Sequence, residues 1–324
     1  MEAYGFPKLF VRIWAERRKS AKQFPGIWKG AFMHSYLRSV GFRNEIRKRQ
    51  WKEYLDQFAK EPDYMKIIQI DEENNMVLML KEVAKDMGIA MCGEEDENGQ
   101  FHLEYYYPYS ISHVVSSRTV STFSKQGEKD SYAGLCEDYR VGVSLIYYLT
   151  NFMEMREFFS KTGRLPKGNE VCFTGLSDRG KIILPIRKTK QQIESAKIAS
   201  QKRTSMIESA RSGDASAMES LTLDEMNLYT KLNRQISKCD MYTLIDSFFM
   251  PTGVECDQYS LMGDIEEVEL LTNSITKEEI YRMMVVANDI PLSVVINKDD
   301  LLGVPEKGRR FKGKIWMMGE AVFS

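Results

Sequence analysis

The chain is poor in the residue patterns that bind metals or form disulfide frameworks. Its five cysteines, Cys92, Cys136, Cys172, Cys239 and Cys256, are odd in number, and no two of them form a C-x-x-C pair. A zinc ribbon and a thioredoxin-type redox motif are therefore not expected, and scattered thiols are typical of a reducing cytosol. We expect these thiols to pack as small hydrophobic groups, and we expect no cofactor.

Long apolar runs and an excess of charge of one sign are missing too. The sequence contains no run of about eighteen apolar residues, so it predicts no membrane-spanning helix. The formal net charge of −1 gives the molecule as a whole little long-range attraction for nucleic acid or anionic lipid. With 43% hydrophobic and 28% charged residues, the composition is that of a folded globular protein, and we expect a soluble, cytoplasmic one.

The first 32 residues differ from the rest in their charge. They contain seven lysines and arginines against Glu2 and Glu16, and they lack the continuous apolar core and cleavage site of a secretory signal. We expect residues 1–32 to be a basic N-terminal extension outside the native fold, produced by a start codon assigned too early. The alternative is a basic amphipathic arm for a partner or a membrane surface.

The remaining chain shows three kinds of pattern, which together predict an α+β protein. Residues 33–188 contain apolar runs of strand length separated by turn signals, with short helical stretches among them, and predict a mainly antiparallel α+β domain. Residues 189–246 are polar and free of proline, which predicts a helical pair. Residues 247–324 alternate again and predict a small β-rich, barrel-like domain.

Two local patterns carry specific predictions. The sequence Asp178-Arg179-Gly180 separates two apolar runs and predicts the turn of a β-hairpin. The stretch 276–279, Thr-Lys-Glu-Glu, has the spacing of a capping box and predicts a helix that continues to about Val286.

The C-terminal stretch 308–315, GRRFKGKI, is one residue away from a phosphate-binding P-loop. A P-loop needs Ser or Thr where Ile315 stands and a helix after it, whereas the residues that follow Ile315 have strand character. Alternation with a period of two fits better, because it places Phe311, Ile315 and Met317 on one face of a strand. The sequence therefore predicts an extended strand here and no nucleotide-binding loop.

The opposite face of this predicted strand combines positive charge with an aromatic ring. It consists of Arg310, Lys312, Lys314 and Trp316. Cations that contact phosphates, together with a flat ring for stacking, favour an anionic ligand or single-stranded nucleic acid as the partner. The competing interpretation is a solvated outer face, or an edge strand that its lysines protect against pairing with a neighbour.

Two groups of carboxylates offer a different chemistry. Glu255 and Asp257 are two residues apart on a predicted strand and so share a face, and Asp299 and Asp300 lie in a predicted turn. If the C-terminal part of the chain brought them together, they could bind a divalent cation or act as an acid–base pair. The alternative is that they are ordinary residues of a surface turn and a strand edge.

Three longer phrases carry a resemblance to a known family. Residues 33–42 (MHSYLRSVGF), 251–265 (PTGVECDQYSLMGDI) and 296–319 (INKDDLLGVPEKGRRFKGKIWMMG) resemble an uncharacterised bacterial family, a domain of unknown function of Clostridia-type Firmicutes. The resemblance runs from Met33 to the C-terminus. It implies a cytosolic bacterial protein, and it supplies no activity, substrate or catalytic residue.

These patterns leave three functional hypotheses. We expect a non-enzymatic binding or regulatory protein whose ligand contacts the basic face of the C-terminal strand. One alternative is a metal-dependent or hydrolytic enzyme that uses the C-terminal carboxylates. The other is a structural or assembly protein that docks through its helical pair.

Overall fold

The fold consists of short helices, a four-stranded sheet and a larger closed sheet. The computed structural model of the protein describes residues 34–42, 48–69, 75–96, 99–126, 131–141, 143–186, 190–214, 216–221, 245–253 and 256–324. The α-helices described over their full length are α1 (Lys48–Lys60), α2 (Phe152–Thr162) and α3 (Lys190–Arg211). Residues 216–221 are also helical, and two 3-10 helices span Ser35–Val40 and Lys298–Asp300. The strands are β1 (Tyr64–Gln69), β2 (Asn75–Ala84), β3 (Met87–Glu95), β4 (Phe101–Ser110), β5 (Ser121–Gln126), β6 (Ser131–Cys136), β7 (Leu145–Leu149), β8 (Gly168–Ile183), β9 (Phe248–Pro251), β10 (Gln258–Thr272), β11 (Glu279–Ala287), β12 (Ile290–Asn297), β13 (Leu301–Leu302) and β14 (Arg310–Phe323). This architecture confirms the predicted α+β class.

Strands β1 to β4 form an antiparallel meander that lies under helix α1. The apolar positions of α1 recur at helical spacing, so Trp51, Leu55 and Phe58 share one buried stripe. The ring of Trp51 lies 5.5 Å from that of Tyr106 on β4. The other face of the meander contacts the second sheet, where the rings of Tyr107 and Tyr148 are 4.8 Å apart. The meander is thus a middle layer between α1 and the second sheet.

Strands β5 to β14 pair into two rings that share β8 and β14. One ring, called here the C-terminal ring, consists of β8, β12, β11, β10 and β14, and the other consists of β8, β5, β6, β7 and β14. Closed rings leave no long unpaired edges in the shared strands, and their inner faces supply the core. The predicted barrel-like C-terminal part is present, but it includes β8, which comes from the segment 33–188.

The predicted hairpin at Asp178-Arg179-Gly180 was wrong. Strand β8 runs without a break from Gly168 to Ile183, because β14 pairs with it along almost its whole length. Glycine in a strand pattern can mark a turn or a place where another group approaches closely, and here it marks a close approach. Strand β8 continues through Gly180 because it pairs with β14, which lies more than a hundred residues away in the chain.

The predicted helix from Thr276 to Val286 was also wrong. Residues 279–287 form β11, which pairs with β10 on one side and with β12 on the other. Alternate positions, such as Met283, Val285 and Ala287, are fully buried in the ring. Instead of capping a helix, the Thr276 hydroxyl donates to the Gly41 carbonyl at 2.7 Å. Two-sided pairing in a closed ring outweighed a local capping signal.

Several predictions concern segments beyond the described residues. Helix α3 agrees with the first helix of the predicted helical pair, whereas the segment proposed for the second helix falls largely outside the described ranges, as does the extension 1–32. The docking role of the pair and the predicted domain bounds remain predictions. Among the described residues, no helix has both the length and the apolar character needed to span a bilayer.

Residues 34–42 form a strap across the C-terminal ring. The Arg38 guanidinium donates to Asp300, with Nε 2.6 Å from Oδ2. The Ser39 hydroxyl donates to the Ser177 carbonyl at 2.8 Å, and the Asn273 side chain donates to the Val40 carbonyl at 2.7 Å. The strap thus lies against β8 and β12, and it also contacts β4.

Candidate functional site

The two central strands carry the same short motif, cation-glycine-cation. It occurs in β8 as Arg179-Gly180-Lys181 and in β14 as Lys312-Gly313-Lys314. The antiparallel register places Lys312 opposite Lys181, Gly313 opposite Gly180, and Lys314 opposite Arg179. Because directly paired residues point to the same side of a sheet, all four cations lie on the outer face of the C-terminal ring.

The paired glycines allow an aromatic ring to lie directly against the backbone. Phe311 is fully buried inside the ring. A Cβ atom built on Gly180 or on Gly313 would come within 2.5 Å of the Phe311 ring, far inside van der Waals contact. The ring therefore requires glycine at both positions, and the two strands stay in the register that aligns the four cations.

We call these four side chains, Arg179, Lys181, Lys312 and Lys314, the cationic patch. Arg179 and Lys314 are exposed and the two others are half-buried. The Lys312 ammonium lies 5.8 Å from the centroid of the Phe248 ring, a cation–π distance. Within the described ranges, no salt bridge involves Arg179 or Lys314. Like charges directly opposite each other are unfavourable in a sheet, and the Arg179–Lys314 pair is such a case.

Acidic side chains lie at the margins of the cationic patch. Asp264 is opposite Arg310, two register pairs beyond Lys312. Asp178 occupies the β-bulge next to Arg179. Burial raises the pKa of Tyr36 and the Asp300 hydrogen bond raises that of Arg38, and the nearby charge of Asp178 adds to both rises. The positive potential is therefore concentrated at the centre of the face.

The structure separates the four predicted binding residues into two kinds. Lys312 and Lys314 reach the surface, as described above. Arg310 is buried, and its guanidinium donates to the Leu184 and Ile245 carbonyls at 2.9 Å. The Trp316 side chain is only 7% exposed. Arg310 and Trp316 thus hold neighbouring segments together and do not present a surface to a ligand.

Trp316 is the centre of an aromatic cluster beneath the strap. Its ring stacks on Tyr36 at a centroid distance of 5.7 Å and contacts His34 at 4.7 Å and Tyr148 at 5.4 Å. Its Nε1–H donates to the Asp257 carboxylate at 2.7 Å. The stacking capacity that the sequence suggested for a nucleobase is used within the protein.

The Asp257 carboxylate accepts its hydrogen bond from Trp316. Burial raises the pKa of its carboxyl group, and the Trp316 hydrogen bond opposes part of that rise. Asp300 is bound by Arg38, Asp299 is exposed beside it, and Glu255 lies outside the described residues. Among the residues that the structure describes, no group of three or more His, Cys, Asp or Glu side chains could hold a metal ion.

The raised pKa of Asp257 predicts a pH-dependent effect of its replacement. The folded state binds the Asp257 proton more tightly than the unfolded chain, so ionisation destabilises the fold as the pH rises above the usual value of 3.8. Asp257→Asn keeps an oxygen that accepts from Trp316 and removes the charge. We expect higher stability than wild type in denaturant unfolding at neutral pH and no gain at about pH 3. If Asp257→Asn changed the free energy of unfolding equally at both pH values, the buried charge of Asp257 would not be the cause.

Sequence reasoning missed Arg179 and Lys181, because it placed Arg179 in a turn and Lys181 at the start of the strand after that turn. One signal could have found them, since a cation-glycine-cation triplet occurs three times, and the two copies at 179–181 and 312–314 lead directly into apolar residues. Two such triplets paired in an antiparallel sheet bring the glycines together and align the charges. No single stretch of sequence says that the two triplets pair.

Comparison with known proteins gives a family but no functional relative. No curated protein and no solved structure matches the chain. One family model matches residues 37–319, a range that includes most of the strap, the meander, and both rings apart from the last residues of β14. The model covers most of the chain and agrees with the resemblance seen in the sequence, so the chain belongs to the family described as "Domain of unknown function, E. rectale Gene description (DUF3881)".

Proposed function

We propose that this chain is a cytosolic, non-enzymatic binding or regulatory protein that captures an anionic partner on the cationic patch. The observation that carries the proposal is the register of β8 and β14, which sets two pairs of like charges directly opposite each other. The Arg179–Lys314 pair, which makes no salt bridge within the described residues, costs folding free energy, on the order of several tenths of a kcal/mol. A bound anion screens this repulsion, and the free energy that is relieved on binding adds to the affinity for the anion.

The surroundings of the patch support a polyanion in preference to a single small anion. The four cations lie on two adjacent strands about 4.8 Å apart, and successive cations on one strand are separated by about 7 Å. This spacing spreads the charge over an area and does not gather it at one point. Phosphate groups repeated along a chain or over a surface match such a distribution.

Retention on heparin tests this proposal. We expect the wild-type chain to bind at low salt and to elute as salt is raised, because the interaction depends on the release of counterions. The Lys312→Ala/Lys314→Ala and Arg179→Ala/Lys181→Ala variants should each elute at clearly lower salt. Arg310 is left unchanged in these variants, since its guanidinium binds buried carbonyls.

The control for this experiment removes the same charge elsewhere. Lys52→Ala/Lys60→Ala takes two exposed lysines from helix α1 and should leave the elution salt close to that of wild type. If the wild-type chain is not retained at low salt, or if the α1 variant loses retention as strongly as the patch variants, the proposal is wrong.

A further inference from the structure

Exposed aliphatic side chains surround the cationic patch. The large ones are Leu302, Leu184, Met250 and Val304, with exposures of 75%, 73%, 58% and 58%. Single exposed apolar residues are ordinary on protein surfaces, whereas a group of them in one region marks an interaction site. A partner that contacts this region must therefore interact with both the cations and the aliphatic groups.

The sheet register places two of these residues on the same face as the patch. Leu302 on β13 is paired with Lys181, so both point outward. Met250 on β9 is opposite Ser260, which is opposite Lys314. Two rows therefore cross the outer face: one runs from Leu302 through the patch, and the other runs from the patch to Met250.

The two other residues follow the ends of β8 and β13 in the chain. Leu184 follows the last residue of β8, and its carbonyl accepts from the buried Arg310 guanidinium. The Val304 carbonyl accepts from Arg309 at 3.0 Å. In both cases the backbone is held by hydrogen bonds while the aliphatic side chain points into solvent. These apolar groups are thus presented by ordered backbone.

We propose that this face docks on the surface of an anionic lipid bilayer, with the cations at the headgroups and Leu302 and Met250 entering the interface. The inference rests on the proposed function, and it names the anion. Aliphatic side chains gain free energy by leaving water for the boundary between headgroups and acyl chains, and cations are attracted to acidic headgroups. A surface that combines both is complementary to such a bilayer.

Single-stranded nucleic acid fits the same face less well. Proteins that bind it stack bases on exposed aromatic rings beside their cations. The tryptophan of this strand is buried beneath the strap, and the exposed apolar groups at the patch are aliphatic. Aliphatic groups give a nucleobase no stacking surface, but they partition into lipid.

Sedimentation with vesicles tests the inference on the full chain. The probes are vesicles of phosphatidylcholine alone and vesicles of phosphatidylcholine mixed with phosphatidylglycerol. We expect binding to the mixed vesicles only, and weaker binding at higher salt. The Lys312→Gln/Lys314→Gln variant should bind them about 25-fold more weakly, at roughly fivefold for each cation.

The apolar variant distinguishes a bilayer from any other polyanion. Leu302→Ser/Met250→Ser should lower vesicle binding by about tenfold or more and leave heparin retention unchanged. Both side chains are largely exposed, so the fold should tolerate the change. Val322→Ser is the matched control, since Val322 is 58% exposed near the opposite end of β14.

Each outcome has a separate meaning. If the chain binds heparin but not the mixed vesicles, or if the apolar variant binds those vesicles as well as wild type does, the lipid inference is wrong and the proposed function stands. Tight binding to single-stranded DNA without vesicle binding would identify nucleic acid as the polyanion. If neither heparin nor vesicles bind, both proposals fall.

Discussion

Replacing Phe311 with alanine should lower the free energy of unfolding by about 3–5 kcal/mol, the range found for fully buried aromatic side chains. The ring is completely buried and lies against the paired glycines of β8 and β14. The backbone on either side of the ring is held by pairing on both edges of β14, so it cannot collapse to fill the space. Alanine would leave a cavity whose lining has lost its packing contacts.

Denaturant unfolding of Phe311→Ala and Phe159→Ala measures this effect against a matched substitution. Phe159 lies on helix α2 with 48% of its surface exposed, so the same change should cost no more than about 1 kcal/mol there. Losses of equal size in the two variants would show that the ring of Phe311 is not the packing centre of the two central strands.

The same residue shows how far the sequence alone could lead. Alternation along 311–317 predicts that Phe311, Ile315 and Met317 share a face, and all three are fully buried. That inference depends only on the geometry of one extended strand. The rejection of a P-loop follows from the same pattern and is confirmed, because Gly313 and Lys314 lie in the middle of β14.

What the sequence could not show is which segments lie against the other face of this strand. Arg310 and Trp316 alternate with the apolar positions and so read as surface residues. They are buried because the segment around Leu184 and Ile245 and the strap of residues 34–42 cover them. Contacts between positions so distant in the chain leave no periodic signal in either segment.

The cationic patch is an intermediate case. Its two lysines on β14 were predicted from local charge, whereas Arg179 and Lys181 joined them only through the pairing of β8 with β14. Gly180 favoured a turn when β8 was considered alone. In the folded protein it faces Gly313 and makes room for Phe311, so the same glycine that misled the prediction sets the register of the site.

Lowering the pH from neutral to about 5 should weaken the fold through His34, by about 2 kcal/mol. Burial against the aromatic cluster lowers the pKa of His34 from 6.5 to about 4. The unfolded chain therefore binds a proton on His34 near pH 6.5, while the folded chain stays neutral until the pH nears 4. The contribution of neutral His34 to the free energy of unfolding is complete when the pH is above the pKa of His34 in the unfolded chain. It is lost progressively as the pH falls below that pKa.

The geometry of His34 requires the neutral ring. Its Nδ1 accepts a hydrogen bond from the Tyr36 backbone N–H at 3.4 Å at the start of the strap. A protonated ring has no acceptor, so protonation would remove this cap and place a charge beside Trp316. The strap should therefore loosen in acid before the closed rings unfold.

His34→Gln provides the test, because glutamine retains a side-chain acceptor and does not titrate. We expect the difference in unfolding free energy between neutral pH and about pH 5 to shrink by about 2 kcal/mol in this variant. His113→Gln makes the same substitution at a side chain that is 74% exposed and lies outside the strap, and it serves as the control. If His34→Gln loses as much stability in acid as the wild type does, the neutral ring of His34 does not hold the strap in place.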